Sequence, residues 1–285
     1  MKKLFNNLLV PVDFSRNTEP AMREAIELAN QFECNIHVLY VEPSKSILPF
    51  FDDGVPRSGK NDRAAAQAEN KMMELRKQFR FDLQPPLSMH TAVQSGNVES
   101  AIVFYSIKNQ IDLVIFSKVR KSFFNGWFRD VNINRLSKKI RCPLLTVQTE
   151  VNLDRVTNIV LPVGEFLPVR KLMFATYLAK KYKSKLHLIA TVQQVHGHES
   201  APNIHLVKAY KLIRDNIEVQ VECRTFAEGN IADLTLQYAK NVNADLIVVN
   251  PGQESVLSGF TNRLFSRFIA TRSRIPVMTI ASVKN

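Results

Sequence analysis

Asn7-Leu8-Leu9-Val10-Pro11-Val12-Asp13 decides the fold of this chain, because it is written again as Asn158-Ile159-Val160-Leu161-Pro162-Val163-Gly164. Outward from it, the copies continue in the same order. Asn35-Ile36-His37-Val38-Leu39 returns as Lys185-Leu186-His187-Leu188-Ile189, and Gly96-Asn97-Val98 as Gly229-Asn230-Ile231. Asp112-Leu113-Val114-Ile115 returns as Asp245-Leu246-Ile247-Val248. Arg141-Cys142-Pro143-Leu144-Leu145-Thr146-Val147 returns as Arg274-Ile275-Pro276-Val277-Met278-Thr279-Ile280. A unit this long, with several apolar segments, encloses its own core, so the repeat is a duplicated domain and not a solenoid turn. The expected domains are 1–150 and 151–285, joined by a short polar linker over roughly 149–155. His37 and His187 lie 150 positions apart, whereas Gly96 and Gly229 lie 133 apart; the second copy is thus 17 residues shorter between its second and third strands. The loss falls opposite 42–87, which reads as a loop and a helix.

Apolar runs alternate with helical patterns in each copy, the signature of an α/β protein with a parallel sheet. Leu8–Val12 is a continuous apolar run, as in a strand buried on both faces. Ser15 or Thr18 is placed to cap a helix through Phe32, with Met22, Ile26, Ala29 and Phe32 on one face. Ile36–Val41, Met89–Val93, Leu113–Phe116 and Leu144–Val147 read as further strands. Between them lie helices over Arg63–Phe79, from Asn97 onward with Val98, Ile102 and Tyr105 on one side, and over Val131–Ile140. The second copy predicts strands near 158–163, 186–191, 217–224, 246–249 and 277–281. Pro11 and Pro162 would ordinarily demote their strands to a sheet edge. A position near the strand's C-terminal end, where one ladder bond can be missed, reconciles them with runs this apolar.

The 285-residue chain is 45% hydrophobic, enough for two cores. No apolar run reaches the ~20 residues of a membrane span. Met1-Lys2-Lys3-Leu4-Phe5 has the charge of a signal peptide, but its apolar stretch runs straight into Pro11-Val12-Asp13 without a cleavage site, so it reads as a strand. Cys34, Cys142 and Cys223 are odd in number and far apart, which points to free thiols in a reducing cytosol. Cys142, before a proline at a strand start, reads as a buried structural thiol. The net charge of +12 is shared, with 21 basic against 16 acidic residues in 1–150 and 17 against 10 in 151–285. Glutamates lie among the basic residues and no RNA-binding aromatic signature occurs. The charge therefore reads as a solvated surface, and nucleic acid is not an expected partner.

Leu-Val-Pro-Val-Asp-Phe-Ser at 9–15, Gly-Asn-x-x-x-x-Ile at 96–102, Asp-Leu-Val-Ile at 112–115 and Arg-Cys-Pro-Leu-Leu-Thr-Val at 141–147 together resemble the universal stress protein family, and the second copy follows the pattern more loosely. The resemblance covers nearly the whole chain as a tandem member. It implies two Rossmann-like, adenine nucleotide alpha hydrolase-like domains, each a five-stranded parallel sheet of order 3-2-1-4-5 with helices on both faces. It also implies pairing of fifth strands, with Leu144–Val147 near Val277–Ile280 as an internal pseudo-dimer, and leaves room for a homodimer.

Many members of that family bind ATP on a loop after the fourth strand, patterned Gly-x-x-Gly, nine residues, then Gly-Ser or Gly-Thr. Backbone N–H groups cradle the phosphates there, and glycine permits the close approach. Counted from Asp112, the first copy has Ser117, Arg120, Asp130 and Val131 at these places; counted from Asp245, the second has Asn250, Gln253, Arg263 and Leu264. Left-handed geometry costs a side chain about 1–2 kcal/mol per residue, so the expectation is a degraded phosphate loop in both copies and no resident cofactor. If ATP binds at all, the resemblance gives Pro11, Val12, Asp13, Val41, Ser117 and Arg120 as its contacts, in the first copy alone, because Gly164 replaces Asp13 in the second.

Asp13 reads equally as a helix-entry residue that holds backbone N–H groups. Lys118, Arg120, Lys121 and Arg129 alternate with Phe123, Phe124, Trp127 and Phe128. These are either cations and stacking rings that substitute for the glycine cradle, or a solvated basic rim over packed aromatics. His37 and His187, at one place in both copies, read as structural. His196, His198 and His205 lack the carboxylates or cysteines a metal site needs, so no metal is expected. Neither a Ser-Gly-Gly-x-Asp-Ser loop nor a nucleophile–base pair marks an enzyme. The expected function is a cytoplasmic, non-catalytic stress-response protein that binds protein partners as a scaffold module, with a nucleotide-binding regulator as the alternative.

Overall fold

The structure is a computed structural model that describes residues 3–15, 18–43, 60–117, 131, 133–147, 153–194, 200–201, 203, 204–227, 229–251, 273 and 275–281. Residues 5–132 form one compact unit, and residues 1–4 with 133–285 form the other.

The 5–132 unit runs β1 (Asn7–Val12), α1 (Thr18–Phe32), β2 (Asn35–Pro43), α2 (Lys60–Phe79), β3 (Met89–Gly96), α3 (Val98–Lys108) and β4 (Leu113–Ser117). Its strands lie in the order β4-β1-β2-β3, all parallel. Leu8, Leu9, Val10 and Val12 are at most 1% exposed although they alternate in direction, so both faces of β1 are covered, as its unbroken apolar run requires. Met22, Ile26, Ala29 and Phe32 form the buried side of α1, as their spacing predicts.

The other unit runs α4 (Ile133–Lys139), β5 (Leu144–Val147), β6 (Asn158–Pro162), α5 (Val169–Tyr182), β7 (Lys185–Thr191), β8 (Gln193–Gln194), β9 (Ser200–Ala201), α6 (Ile204–Asn216), β10 (Val221–Phe226), α7 (Ile231–Asn241), β11 (Leu246–Val249) and β12 (Val277–Thr279). Its main sheet has the order β10-β7-β6-β11-β12-β5. The second copy's five strands thus take the order 3-2-1-4-5 and are parallel throughout. The sixth strand, β5, comes from the first sequence copy and pairs antiparallel with β12, Val277 opposite Thr146 and Thr279 opposite Leu144. This is the fifth-strand pairing that the resemblance implied. Arg170 at the start of α5 joins both strands at one end of this pairing: its guanidinium donates to the carbonyl of Ala281, past β12, at 3.1 Å and to that of Arg141, ahead of β5.

Each repeated motif has a physical reason. Gly96 and Gly229 adopt φ of +124° and +130°, where side chains are strained, and a Cβ on Gly229 would also lie 3.1 Å from Leu234. The next residue caps a helix: Asn97 Oδ1 accepts from the Ser100 N–H, and Asn230 Oδ1 from those of Ala232 and Asp233. Asp112 Oδ2 accepts the N–H groups of Asn6 and Asn7 at 2.8 and 3.1 Å. Asp245 Oδ2 does the same for Thr157 and Asn158 at 2.6 and 3.0 Å, and adds the Thr157 hydroxyl at 2.7 Å. Each aspartate therefore fastens the start of its copy's first strand. Pro11 and Pro162 sit in central strands; the ladders to β4 and β11 end at Leu9 and Val160, two residues earlier, so the missing N–H interrupts neither.

Two expectations shift. The strand read at 217–224 begins only at Val221, because Ile217–Gln220 closes α6 with Ile217 N–H donating to the Ile213 carbonyl. The helix between the second and third strands survives the 17-residue loss as the 13-residue α6, against 20 residues in α2, and the short β8–β9 ribbon precedes it.

Candidate functional site

In open parallel sheets the crevice beyond the strands' C-terminal ends is where ligands are read, and the residues singled out above converge there in the 5–132 unit. Pro11 and Val12 end β1, and Val12 lies opposite Tyr40, next to Val41. Pro11, Val12 and Val41 are buried, the latter two at 0% exposure, so they offer a ligand only backbone groups. Asp13 follows directly. Its Oδ1 accepts the Ser15 N–H at 3.0 Å, which fits its reading as a helix-entry residue. Its Oδ2 is buried without a hydrogen-bond partner among the described residues, a costly state for a carboxylate oxygen. Ser117 closes β4 at the same end of the sheet. Its side chain, Arg120 and the whole basic and aromatic loop over 118–130 lie outside the described residues, as does 44–59.

Sequence reasoning missed three residues here. Phe14 has φ of +55° and stacks on Tyr40, ring centroids 4.7 Å apart, and the Lys71 ammonium stands 5.4 Å from the Phe14 ring. Burial, then Glu42 and Asp13, push the Tyr40 phenol up, so it remains a proton donor at neutral pH. No spacing rule links Phe14 to Tyr40; only the β1–β2 register brings them together.

At the matching end of the second copy, buried side chains bond the strand-end carbonyls. Lys171 is 0% exposed and its ammonium nitrogen donates to the Pro162 carbonyl, the last of β6, at 2.5 Å. Burial holds Lys171 well below the usual lysine range. Asn203, 4% exposed, caps α6 with its Oδ1, and its Nδ2 reaches the Gly164 and Thr191 carbonyls at 3.5 and 3.4 Å. Asn250, which follows β11, donates from Nδ2 to the Ile280 carbonyl at 2.7 Å. Gln253, Arg263 and Leu264 lie outside the described residues.

The repeated histidines make a repeated contact instead. His37 Nδ1 meets the Tyr105 hydroxyl at 3.1 Å, and His187 Nδ1 meets that of Tyr238 at 3.1 Å, with its Nε2 at 3.1 Å from Asn158 Oδ1. Tyr105 and Tyr238 are 133 positions apart, the register of the glycines, so the pairing had a sequence signal. Burial, helped by neighbouring His90, lowers His37 to about 4; burial also lowers His187, against the pull of Glu222. Both are neutral packing residues inside the sheet. Among the described residues no three His, Cys, Asp or Glu side chains gather as a metal site, and His196 and His198 lie outside them. Cys34 and Cys142 are buried and Cys223 is exposed, none of them in a disulfide. No helix among the described residues is long and apolar enough to cross a membrane.

Parallel strands, crossover helices and a strand-end crevice in each unit define a doubly wound, Rossmann-like α/β protein. The family model described as "Universal stress protein family" matches residues 4–148, half of the chain, and the chain belongs to that family. A universal stress protein of Methanocaldococcus jannaschii is 23% identical over 148 residues, 52% of this chain and 84% of that protein. The crystal structure of a universal stress protein from Archaeoglobus fulgidus superposes with a TM-score of 0.70 at 15% identity, covering 98% of both chains. A putative universal stress protein from Pseudomonas aeruginosa gives 0.59 at 15% identity, over 97% of this chain and 93% of that one. These two structures bear on the fold alone.

Proposed function

We propose that this protein is a cytoplasmic, non-catalytic stress-response module that acts by binding protein partners and not by turning over a nucleotide. The observation that carries this reading is the set of side-chain bonds to strand-end carbonyls in the second copy. Lys171, Asn203 and Asn250 occupy the carbonyls of Pro162, Gly164, Thr191 and Ile280, where a base or ribose would be read. The side chains that replace four glycine-loop positions in both copies support the same conclusion. Neither His37 nor His187 is a general base candidate, since each is buried against a tyrosine hydroxyl.

A second reading has one observation in its favour. Asp13 Oδ2, buried and without a partner among the described residues, would be satisfied by a hydroxyl or amine donor from a nucleotide such as ATP, held by the first copy alone. Equilibrium dialysis decides between them. With ATP at about 1 mM, a concentration at which a millimolar Kd leaves half the sites filled, no saturable binding is expected. One ATP per chain, abolished by Asp13→Ala, would establish the second reading and end the first.

A further inference from the structure

Between α5 and α6 runs an open groove of 640 Å³, floored by Leu172 and Ile213 and lined by Val169, Met173, Leu212 and Lys180. The floor residues are 2% and 1% exposed, while Val169, Met173 and Leu212 are 58%, 45% and 40% exposed. Solvent-facing apolar side chains along one concave strip mark a surface that is covered in use. The charge around the strip is one-sided. α5 carries exposed Lys180 and Lys181 and no acidic residue; its Lys171 is buried and its Arg170 half-buried, so neither adds to this face. α6 carries Lys208, Lys211 and Arg214 against Asp215, which is bound to Arg214 at 3.0 Å; Glu218 follows the helix. Lys208 lies one helical turn before Leu212 and is exposed, as is Lys180 at the groove itself.

We infer that this groove is the docking site for an acidic amphipathic helix of a partner protein. The partner lays an apolar stripe on Leu172, Met173, Leu212 and Ile213 and its carboxylates against Lys180 and Lys208. α5, at 14 residues, is about 20 Å long, room for a partner helix with apolar anchors at i, i+3 or i+4, and i+7. Concavity favours a helix over a lipid surface, because a flat bilayer face touches the rims and not the floor. The basic rim favours an acidic partner, through steering and register more than through bulk affinity. This assignment rests on the partner-binding reading and names its surface; ATP dialysis tests that reading, and the titration below tests the surface alone.

The test is fluorescence anisotropy of the full chain with a panel of labelled helical peptides of about 16 residues, each about 24 Å long. Each has Leu or Ile at the anchor positions and Glu elsewhere. Saturable binding is expected, weakened about tenfold, or about 1.4 kcal/mol, by Lys208→Glu and by Leu212→Asp. It should also weaken as salt rises. Both positions are exposed, and circular dichroism of each variant checks its fold. Equal binding of a scrambled peptide of the same composition, indifference to Leu212→Asp, or no binding across the panel would overturn the assignment. So would sedimentation with phosphatidylserine vesicles in place of peptide binding, which assigns the face to a membrane. A concentration-dependent dimer abolished by Met173→Asp, with no peptide bound, would assign it to a second copy.

Discussion

Acidification from pH 7 to pH 4 is expected to remove about 3 kcal/mol of stability through His37 alone. A histidine held at about 4 in the fold and near 6.5 in the unfolded chain binds its proton later when folded. Its contribution is whole above pH 6.5 and drains away as pH falls through the window down to 4, at about 1.4 kcal/mol per unit. The cause is geometric: His37 is 8% exposed, its ring stands 4.9 Å from that of His90, and the Tyr105 hydroxyl occupies Nδ1. His187 adds a loss of the same sign. Urea unfolding at pH 7 and pH 4, run on the wild type and on His37→Gln, isolates the effect from the general titration of carboxylates. The variant starts about 1 kcal/mol less stable, from the altered bond to Tyr105, and then loses about 3 kcal/mol less on acidification. Equal losses in the two proteins would show that His37 takes up its proton without penalty.

Asp245→Ala is expected to cost about 3 kcal/mol. One carboxylate oxygen accepts three donors, the N–H groups of Thr157 and Asn158 and the Thr157 hydroxyl, all within 3.0 Å, and bonds to a charged acceptor carry about 1.5–3 kcal/mol each before solvent replaces part of them. The loss falls at the first residue of β6, which sits between β7 and β11 in the sheet. Asp245→Asn keeps an acceptor oxygen and should recover about half of the loss. Asp112→Ala, whose carboxylate holds Asn6 and Asn7 at 2.8 and 3.1 Å, should cost less, about 2 kcal/mol. Thermal or urea unfolding of the three variants measures this. An Asp245→Ala protein within about 0.5 kcal/mol of wild type, the range of an ordinary surface change, would mean that water replaces the carboxylate at the strand start.

The features legible in the sequence are those enforced by local geometry and written twice. Asn97 marks the start of a helix and its copy Asn230 repeats it; the structure shows a cap at each and adds a positive φ at the glycine before it. Asp112 and Asp245 announced a fourth strand, although their role in holding the first strand needs contacts across about a hundred residues. The start of β10 was misplaced because Ile217 and Val219 continue an apolar rhythm through the turn that ends α6. At the candidate site Asp13 could be found from its place after the first strand. The Phe14–Tyr40 stack and the Lys171 bond to Pro162 could not, because each joins residues that only the folded register brings together. Lys171 in particular reads as one more solvated lysine in a basic helix until its complete burial is seen.

The antiparallel seam between β5 and β12 makes the point at which this polypeptide is divided a matter of consequence. A fragment starting at residue 151 would carry β12 without its neighbour, and the unpaired N–H and C=O groups of a strand with buried side chains would meet solvent along its length. Two such fragments would expose the same bare rim to each other. The tether between the copies therefore turns what would be a bimolecular encounter into a built-in closure.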